Sequence, residues 1–465
     1  MSKKILLIHP RVEKIENFTP HLGLAVIAGR LKEAGYKVFV VDYAVGKDIP
    51  PIAEVLKSYK PDVVGISLYT AACTIGDKTI DTIKKYNKEI PILVGGPHAT
   101  LYYQDLKKDM RIDYIFKGEA DKYIVEVVKE VNLQKTPRVI ECLPSDLSDY
   151  PQPDFTSFYN YKEIVTYPLQ TSRGCPHNCI FCSVRLISSR KWRSRDPKKC
   201  IAEITEAKKQ LPKMKLVRII DDNPGVLKGR LKTFLKLFIQ NKFNLDLEIT
   251  NLRADHFDKE IVKLIKKTGI SQLVLGVEHG NPSVFAKVDK GETLDDIKKA
   301  ARLIKDAGIF LRCCFIIGLP YDSYEKFKSS IALAKEIKAD FFHWNAFTPF
   351  KGTRAREWYE KNGIIYNELD HVSLQGTTDF FIGEPVVETP QFTIAEQKKA
   401  YALAMLETNN YIFKVKSIGM LLNVAIKYDF YFLVAKSLVT QPIVWIKHFI
   451  RLYKCGLLIP NINNF

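Results

Sequence analysis

Over residues 1–130, short, wholly apolar runs alternate with amphipathic stretches, and few folds accommodate that alternation. "KILLIHP" reads as a strand, "GLAVIAGRLKEAGY" as a helix closed by Gly35, and "KVFVVDY" as a strand. "IAEVLKSY" follows as a helix, "DVVGISL" as a strand and "GDKTIDTIKKYNKE" as a helix. "PILVGGPHAT" is a strand and turn, and "IDYIFKGEA" a last strand. A strand that is apolar on both faces must be covered on both faces, and strands joined through helices run parallel. The N-terminal region, taken as residues 1–140, is therefore expected to be a doubly wound α/β domain of the Rossmann kind.

Residues 141–165 carry three prolines among Ser and Asp residues and read as a linker. A second alternation fills 166–362, with strands near "VTYPLQTSRG", "LVRIIDD", "LDLEITNL", "QLVLGVEHG", "FLRCCFIIGLP" and "DFFHWNAFTPF". Six strands with crossover helices predict a partial (β/α)6 barrel of the TIM type, whose ligands sit at the C-terminal ends of its strands. The region 363–465 is expected to be a mostly helical cap.

The chain's 465 residues, 46% hydrophobic and 26% charged, suit a soluble protein of two or three domains. Its start reads as a first strand and not as a signal peptide, and no uninterrupted apolar run reaches membrane-spanning length. Nine cysteines are scattered except for one cluster, which favours a reducing cytoplasm and metal chemistry over a disulfide framework. The net charge of +18 suits an anionic partner, or simply a solvated lysine-rich surface. No RNA-binding module signature accompanies it, so nucleic acid is not the expected partner.

The cluster is "TSRGCPHNCIFCSV", with Cys175, Cys179 and Cys182 spaced C-x3-C-x2-C. Three thiols exceed one disulfide and fall one short of a four-thiolate zinc site. Thiolates are soft ligands suited to iron–sulfur clusters, and three of them can hold three irons of a [4Fe–4S] cube with the fourth iron open. Three buried core cysteines, or a zinc knuckle completed by His177, are the alternatives. Gly174 allows a tight turn, Asn178 can hydrogen-bond within the loop, and Phe181 can shield a cluster from water.

With an aromatic before the last cysteine and a barrel strand before the first, this motif resembles the signature of the radical S-adenosylmethionine superfamily. The resemblance implies that the open iron binds the amino and carboxylate groups of S-adenosylmethionine. One electron then cleaves the sulfonium to a radical that abstracts hydrogen from an unactivated carbon. It also implies an oxygen-sensitive enzyme reduced by a partner such as ferredoxin or flavodoxin. Further segments resemble the same family. "IIDDN" (219–223) offers paired carboxylates, Asp222 in particular, to the cofactor ammonium, although an acidic helix cap is the plainer reading. "GVEHG" (276–280) places Glu278 at the cofactor, with His279 where Ser or Thr is usual and a consequence expected on the substrate side. "IIGLP" (316–320) resembles the turn that packs near the adenine. Arg312 is a candidate partner of the cofactor carboxylate, or an outward salt bridge. Arg253 in "NLRAD" points into the barrel or is structural. Cys313 and Cys314 read as buried inert thiols.

"PHLGLAVIAGRLKEAGYKVFVVDY", "PDVVGISLYT", "PILVGGPHAT" and "IFKGEAD", in that order, resemble the cobalamin-binding branch of the superfamily. That is the group around the bacteriochlorophyll oxidative cyclase and the cobalamin-dependent radical methyltransferases. The resemblance implies a cobalamin whose nucleotide tail enters a slot lined by Ser67, Gly95 and Gly96. The family's cobalt-ligand motif D-x-H-x-x-G is absent. His21 lies nearest to its place, and a cobalamin without a histidine ligand is implied. C-methylation of a small-molecule or lipid substrate is the leading expectation. A radical oxidoreductase or cyclase without methyl transfer is the alternative, and a non-enzymatic cobalamin or cluster sensor a remote one. From Tyr411 to Phe465 seven Lys/Arg stand against the single acid Asp429, interleaved with aromatics. That pattern predicts either a packed helical cap or peripheral contact with an anionic membrane.

Overall fold

The computed structural model describes residues 2–10, 19–43, 45, 48–366 and 385–408. The basic, aromatic segment from Tyr411 lies outside the described residues, as does most of the expected C-terminal cap.

The first domain is a parallel sheet of β1 (Lys4–His9), β2 (Lys37–Asp42), β3 (Val63–Ser67), β4 (Ile92–Gly95), β5 (Tyr114–Gly118) and β6 (Arg138–Cys142). The strand order is β2-β1-β3-β4-β5-β6. The order reverses between β1 and β3, which is the crevice where doubly wound sheets bind ligands. β6 extends a sheet expected to end at "IDYIFKGEA". Its "RVIEC" buries only Cys142 at the sheet edge, so it lacks the apolar run that marks the inner strands.

The second domain begins with β7 (Thr166–Leu169). A short antiparallel ribbon of β8 (Ser172–Arg173) and β9 (Arg193–Ser194) brackets the cysteine loop. β10 (Leu216–Ile219), β11 (Asp246–Ile249), β12 (Gln272–Glu278), β13 (Phe310–Ile317) and β14 (Phe341–Ala346) follow, each after a helix. They form two parallel sheets, β11-β10-β7 and β12-β13-β14. This is the strand succession of a partial barrel, without a backbone ladder between its third and fourth strands. Helix starts follow local chemistry. Asp196 caps Pro197–Gln210 by accepting from Lys198 N, and Thr293 with Asp296 forms a capping box on Leu294–Asp306.

The linker is a packed strap. Val40 N donates to Ser157 O at 2.9 Å and Tyr159 N to Val40 O at 2.8 Å, which ties the strap to β2. A Cβ on Gly29 would meet Gln152 O at 2.4 Å, so the helix Leu22–Glu33 admits the strap only because that residue is glycine. Phe155, Phe158 and Tyr167 join the cores of the two domains into one apolar cluster. Beyond the barrel, β15 (Ile364–Ile365) pairs antiparallel with β16 (Val387–Glu388). The helix Ile394–Thr408 packs back on the barrel, where Trp344 Nε1 donates to Thr408 Oγ1 at 3.0 Å.

Candidate active site

The cysteine loop leaves the C-terminal end of β7, and its entry is fixed by one carboxylate. Asp221, fully buried, accepts from Thr171 N, Thr171 Oγ1 and Ser172 Oγ, each at 2.6 Å. Its role is therefore to hold the loop. Asp222 accepts from Gly174 N at 2.8 Å, and burial raises its carboxyl above the usual range. Gly174 has φ +86, and a Cβ there would meet Lys191 O at 2.6 Å, so the expected tight turn is present and excludes any side chain. Asn223 Nδ2 donates to Cys175 Sγ at 3.5 Å. Cys182 N donates to Cys179 O at 3.2 Å. Asn178 bonds outside the loop, donating to Asp289 Oδ2 at 2.7 Å and accepting from Arg185 at 3.2 Å. Phe181 lies half-buried against a small apolar cluster that includes Ile180, Val284 and Tyr359.

Opposite the loop stands the end of β12. Glu278 has φ +66, a left-handed conformation that costs a non-glycine residue about 1–3 kcal/mol and clusters at functional sites. A register shift between Gly276 and Glu278 accompanies it. Lys290 Nζ pairs with Glu278 Oε1 at 3.1 Å and donates to Gly276 O at 2.5 Å. The same Lys290 approaches Glu292 at 3.6 Å. Arg253 joins this network through Glu292 at 3.4 Å, Asp255 at 2.9 Å and Lys290 O at 2.6 Å. Arg253 is thus a linchpin between the ends of β11 and β12, where the sheet itself is open. Cys179 feels the charges of Glu278, Lys290 and Arg253, and Cys182 those of Asp222 and Glu278. The expected thiols and acids therefore share one site. Lys290 and Glu292 were not foreseen, since the fragment "VDKGET" carries no motif.

The first domain holds a slot at the β1/β3 switch point. A cavity of about 300 Å³ runs between the sheet and the helix Leu22–Glu33, lined by Ser67, Gly95, Gly96, Gly65 and Phe116. The three predicted slot residues are thus brought together. A Cβ on Gly95 would touch only Phe116 Cβ at 3.7 Å, so the space above it is open. The same cavity reaches Gln170, Arg173 and Ile220 of the second domain. His21 is committed elsewhere. Its Nδ1 accepts from Leu24 N at 3.1 Å as a helix cap, and its Nε2 bonds Ser67 Oγ at 2.8 Å. Burial, with His9 alongside, lowers its pKa to about 3, so the ring is neutral.

A clamp joins slot and cysteine loop. Glu119, just past β5, accepts from Arg173 at 2.7 Å and from Arg193 at 2.5 and 2.9 Å. Burial opposes ionisation, but hydrogen bonding from Arg193 and the charge of Arg173 outweigh it and hold Glu119 below the usual range. Arg173 directly precedes Gly174, so the first domain sets the position of the cysteine loop. "KGEAD" carries a family resemblance but no local sign of a clamp, because the partners of Glu119 lie 54 and 74 residues away.

Three expectations change. His279 turns away from the barrel into the core, bonded to Asp322 Oδ1 at 3.0 Å and to Asn281 N at 3.0 Å. It is fully buried and structural. Cys313 is buried as expected, but Cys314 lies on the barrel's inner face and is partly exposed. Arg312 lies on that inner face too, without a salt bridge to any described residue, toward the N-terminal half of β13.

Among the described residues, no group of three or more His, Cys, Asp or Glu converges on a single metal ion. A cube does not require that, since each thiolate binds a different iron. Burial pushes Cys179 up to about 12 and Cys182 up to about 11, with a neighbouring thiol adding to each. A metal that binds must therefore displace their protons. The donor set fits a [4Fe–4S] cluster, and the glycine-lined slot fits a flat-sided nucleotide tail.

Residues 8–128 match the B12 binding domain family and residues 169–334 the Radical SAM superfamily. The chain is 26% identical over 391 residues to an uncharacterized methyltransferase of Pyrococcus horikoshii, covering 78% of this chain and 84% of that one. It is also 26% identical over 381 residues to the anaerobic magnesium-protoporphyrin IX monomethyl ester cyclase of Rubrivivax gelatinosus, with 75% and 68% covered. Its fold is similar to the cobalamin- and cluster-bound structure of the radical S-adenosylmethionine methyltransferase TsrM from Kitasatospora setae. The TM-score is 0.62 at 18% identity, covering 76% of this chain and 77% of that one. With a B12 binding domain match followed by a Radical SAM match in one chain, this protein has the two-domain make-up of the cobalamin-binding branch of the radical S-adenosylmethionine superfamily.

Proposed function

We propose that the protein is a cobalamin-dependent radical methyltransferase that methylates an unactivated carbon of a small-molecule or lipid substrate. The observation that carries this reading is the single cavity that runs from the glycine slot, through Ser67 and Gly95, to Gln170 and Arg173 beside the cysteine loop. A methyl donor seated in that slot opens onto the site where the substrate carbon is activated. When bound, the cluster supplies the electron that cleaves S-adenosylmethionine and cobalamin supplies the methyl group.

This chain's residues do the positioning. Cys175, Cys179 and Cys182 bind iron, and Asn223 donates to the Cys175 sulfur. Asp221 and Gly174 shape the loop. Glu278 and Asp222 accept from the ammonium and ribose of S-adenosylmethionine. Ser67, Gly95 and Gly96 would admit the nucleotide tail, and His21, already bonded at both nitrogens, holds the slot wall through Ser67. The strap and the first domain close the site against water. The reading includes an oxygen-sensitive, cytoplasmic enzyme reduced by a ferredoxin- or flavodoxin-like donor. Among the described residues no helix is long and apolar enough to cross a membrane. The segment from Tyr411 is the proposed peripheral membrane contact.

The second reading, cyclisation or oxidation without methyl transfer, is favoured by the similarity to the anaerobic cyclase. Product analysis under strongly reducing, anaerobic conditions separates the two. Methyl transfer predicts both 5′-deoxyadenosine and S-adenosylhomocysteine, the second only when cobalamin is loaded. Formation of 5′-deoxyadenosine alone, with cobalamin bound, supports the second reading.

A further inference from the structure

Five of the six barrel strands, β10 to β14, alternate buried residues with partly exposed ones on the inner face, whereas β7 is buried throughout. On β13, Arg312, Cys314 and Ile316 are partly exposed, while Leu311, Cys313 and Phe315 between them are buried against the helices. β12 and β14 alternate in the same way, with Val274 and Gly276, and with Phe341 and His343, on the open side. Most cations on or beside this face are matched. Arg218 Nε pairs with Glu248 at 2.6 Å, Lys290 with Glu278, and Arg253 with Asp255 and Glu292. Arg312 makes no ion pair with a described residue, and its Nε is buried without a hydrogen-bond partner.

We propose that Arg312 is the centre of an anion subsite deep in the barrel, which takes a carboxylate or phosphate group of the substrate. The inference rests on the proposed reaction at the cysteine loop and adds the substrate's chemical class to it.

Depth separates this subsite from the cofactor. In the sheet register Glu278 stands opposite Phe315, three residues beyond Arg312. At about 3.3 Å per residue the two levels differ by roughly 10 Å. The guanidinium does not climb toward Glu278. Its Cζ lies 5.3 Å from the ring centroid of Phe341, the residue directly opposite Arg312 on β14. His343, whose ring centroid is 4.5 Å from that of Phe341, is pushed down to about 4 by burial and by Arg312. It is therefore neutral near pH 7 and offers a hydrogen bond without adding charge. A planar guanidinium lying over an aromatic ring, with no ion pair to a described residue, suits two-point recognition of a carboxylate or phosphate. The substrate inferred is an elongated molecule whose anionic end lies roughly 10 Å from the carbon that reacts.

The test is equilibrium dialysis of labelled octanoate, octyl phosphate and 1-octanol against the reconstituted holoenzyme. Wild type, Arg312→Gln and Arg312→Lys are compared, and S-adenosylmethionine affinity is measured on the same samples. The expected result is saturable binding of at least one of the two anions. Arg312→Gln weakens it about tenfold or more, Arg312→Lys recovers part, and octanol does not discriminate. Tighter octanoate assigns a carboxylate and tighter octyl phosphate a phosphate. No saturable binding of either anion to wild type, or equal binding by Arg312→Gln, overturns the subsite. A parallel loss of S-adenosylmethionine affinity in Arg312→Gln also overturns it, by returning Arg312 to the cofactor. Absence of S-adenosylmethionine cleavage by wild type would overturn the proposed reaction and leave the binding result readable by itself.

Discussion

Gly174 shows how much one residue decides. Its φ of +86 and the carbonyl of Lys191 at 2.6 Å from a would-be Cβ leave room for hydrogen alone. Gly174→Ala should lower iron content after anaerobic reconstitution to less than half of wild type, while the chain still folds. The strain, about 1–3 kcal/mol, falls on the loop. Glu278 is the opposite case, a side chain kept in a conformation that disfavours it. Glu278→Gln removes the charge that Lys290 neutralises and, under the proposed function, a carboxylate acceptor for the cofactor. Titration with S-adenosylmethionine should show affinity weakened about tenfold, with cluster content unchanged. The cysteine cluster stands out in the sequence because soft ligands at short spacing have few other uses. The fragment "GVEHG" does not fix the direction of His279, since it fits a histidine turned inward as well as one facing the substrate. Only Asp322, 43 residues on, decides between the two.

Among the elements, the slot and the clamp make separable demands. Gly95→Leu fills the open space above Phe116. It should abolish cobalamin retention on desalting while leaving iron content intact. Glu119→Gln leaves Arg173 and Arg193 without their shared anion, which for a buried pair costs about 3–5 kcal/mol. Thermal unfolding should shift down accordingly. The pH dependence has a defined sign. Glu119 is held below its ordinary value, so the unfolded chain binds the extra proton. The stability it contributes is complete at neutral pH and is lost as pH falls below about 4.3. Burial raises Asp221 and Glu292, which act in the opposite sense. The contrast between wild type and Glu119→Gln isolates the clamp: from pH 5 to pH 3 the wild type should lose more stability than the variant. Equal losses would show that the fold does not hold Glu119 below its ordinary value. The inner strands could be read from the sequence because they are apolar on both faces. β6 could not, since a partly exposed edge strand needs no such pattern. The strap looked like a loose linker because its ties are backbone hydrogen bonds, which leave no compositional trace.

At the scale of the molecule, two domains are fastened by a shared core, a strap and a buried ion cluster, so that the slot of one opens at the cysteine loop of the other. Domain types and their order were legible because each has its own periodicity and motif. The joint between them was not, since Glu119, Arg173 and Arg193 are ordinary charged residues until the fold brings them together. Whether one chain carries both cofactors is decided by measuring iron and cobalt on a single sample, reconstituted anaerobically with iron, sulfide and hydroxocobalamin and then desalted. About four irons and about one cobalt per chain are expected. About four irons with no cobalt would contradict a two-cofactor enzyme and reduce the first domain to a scaffold for the barrel.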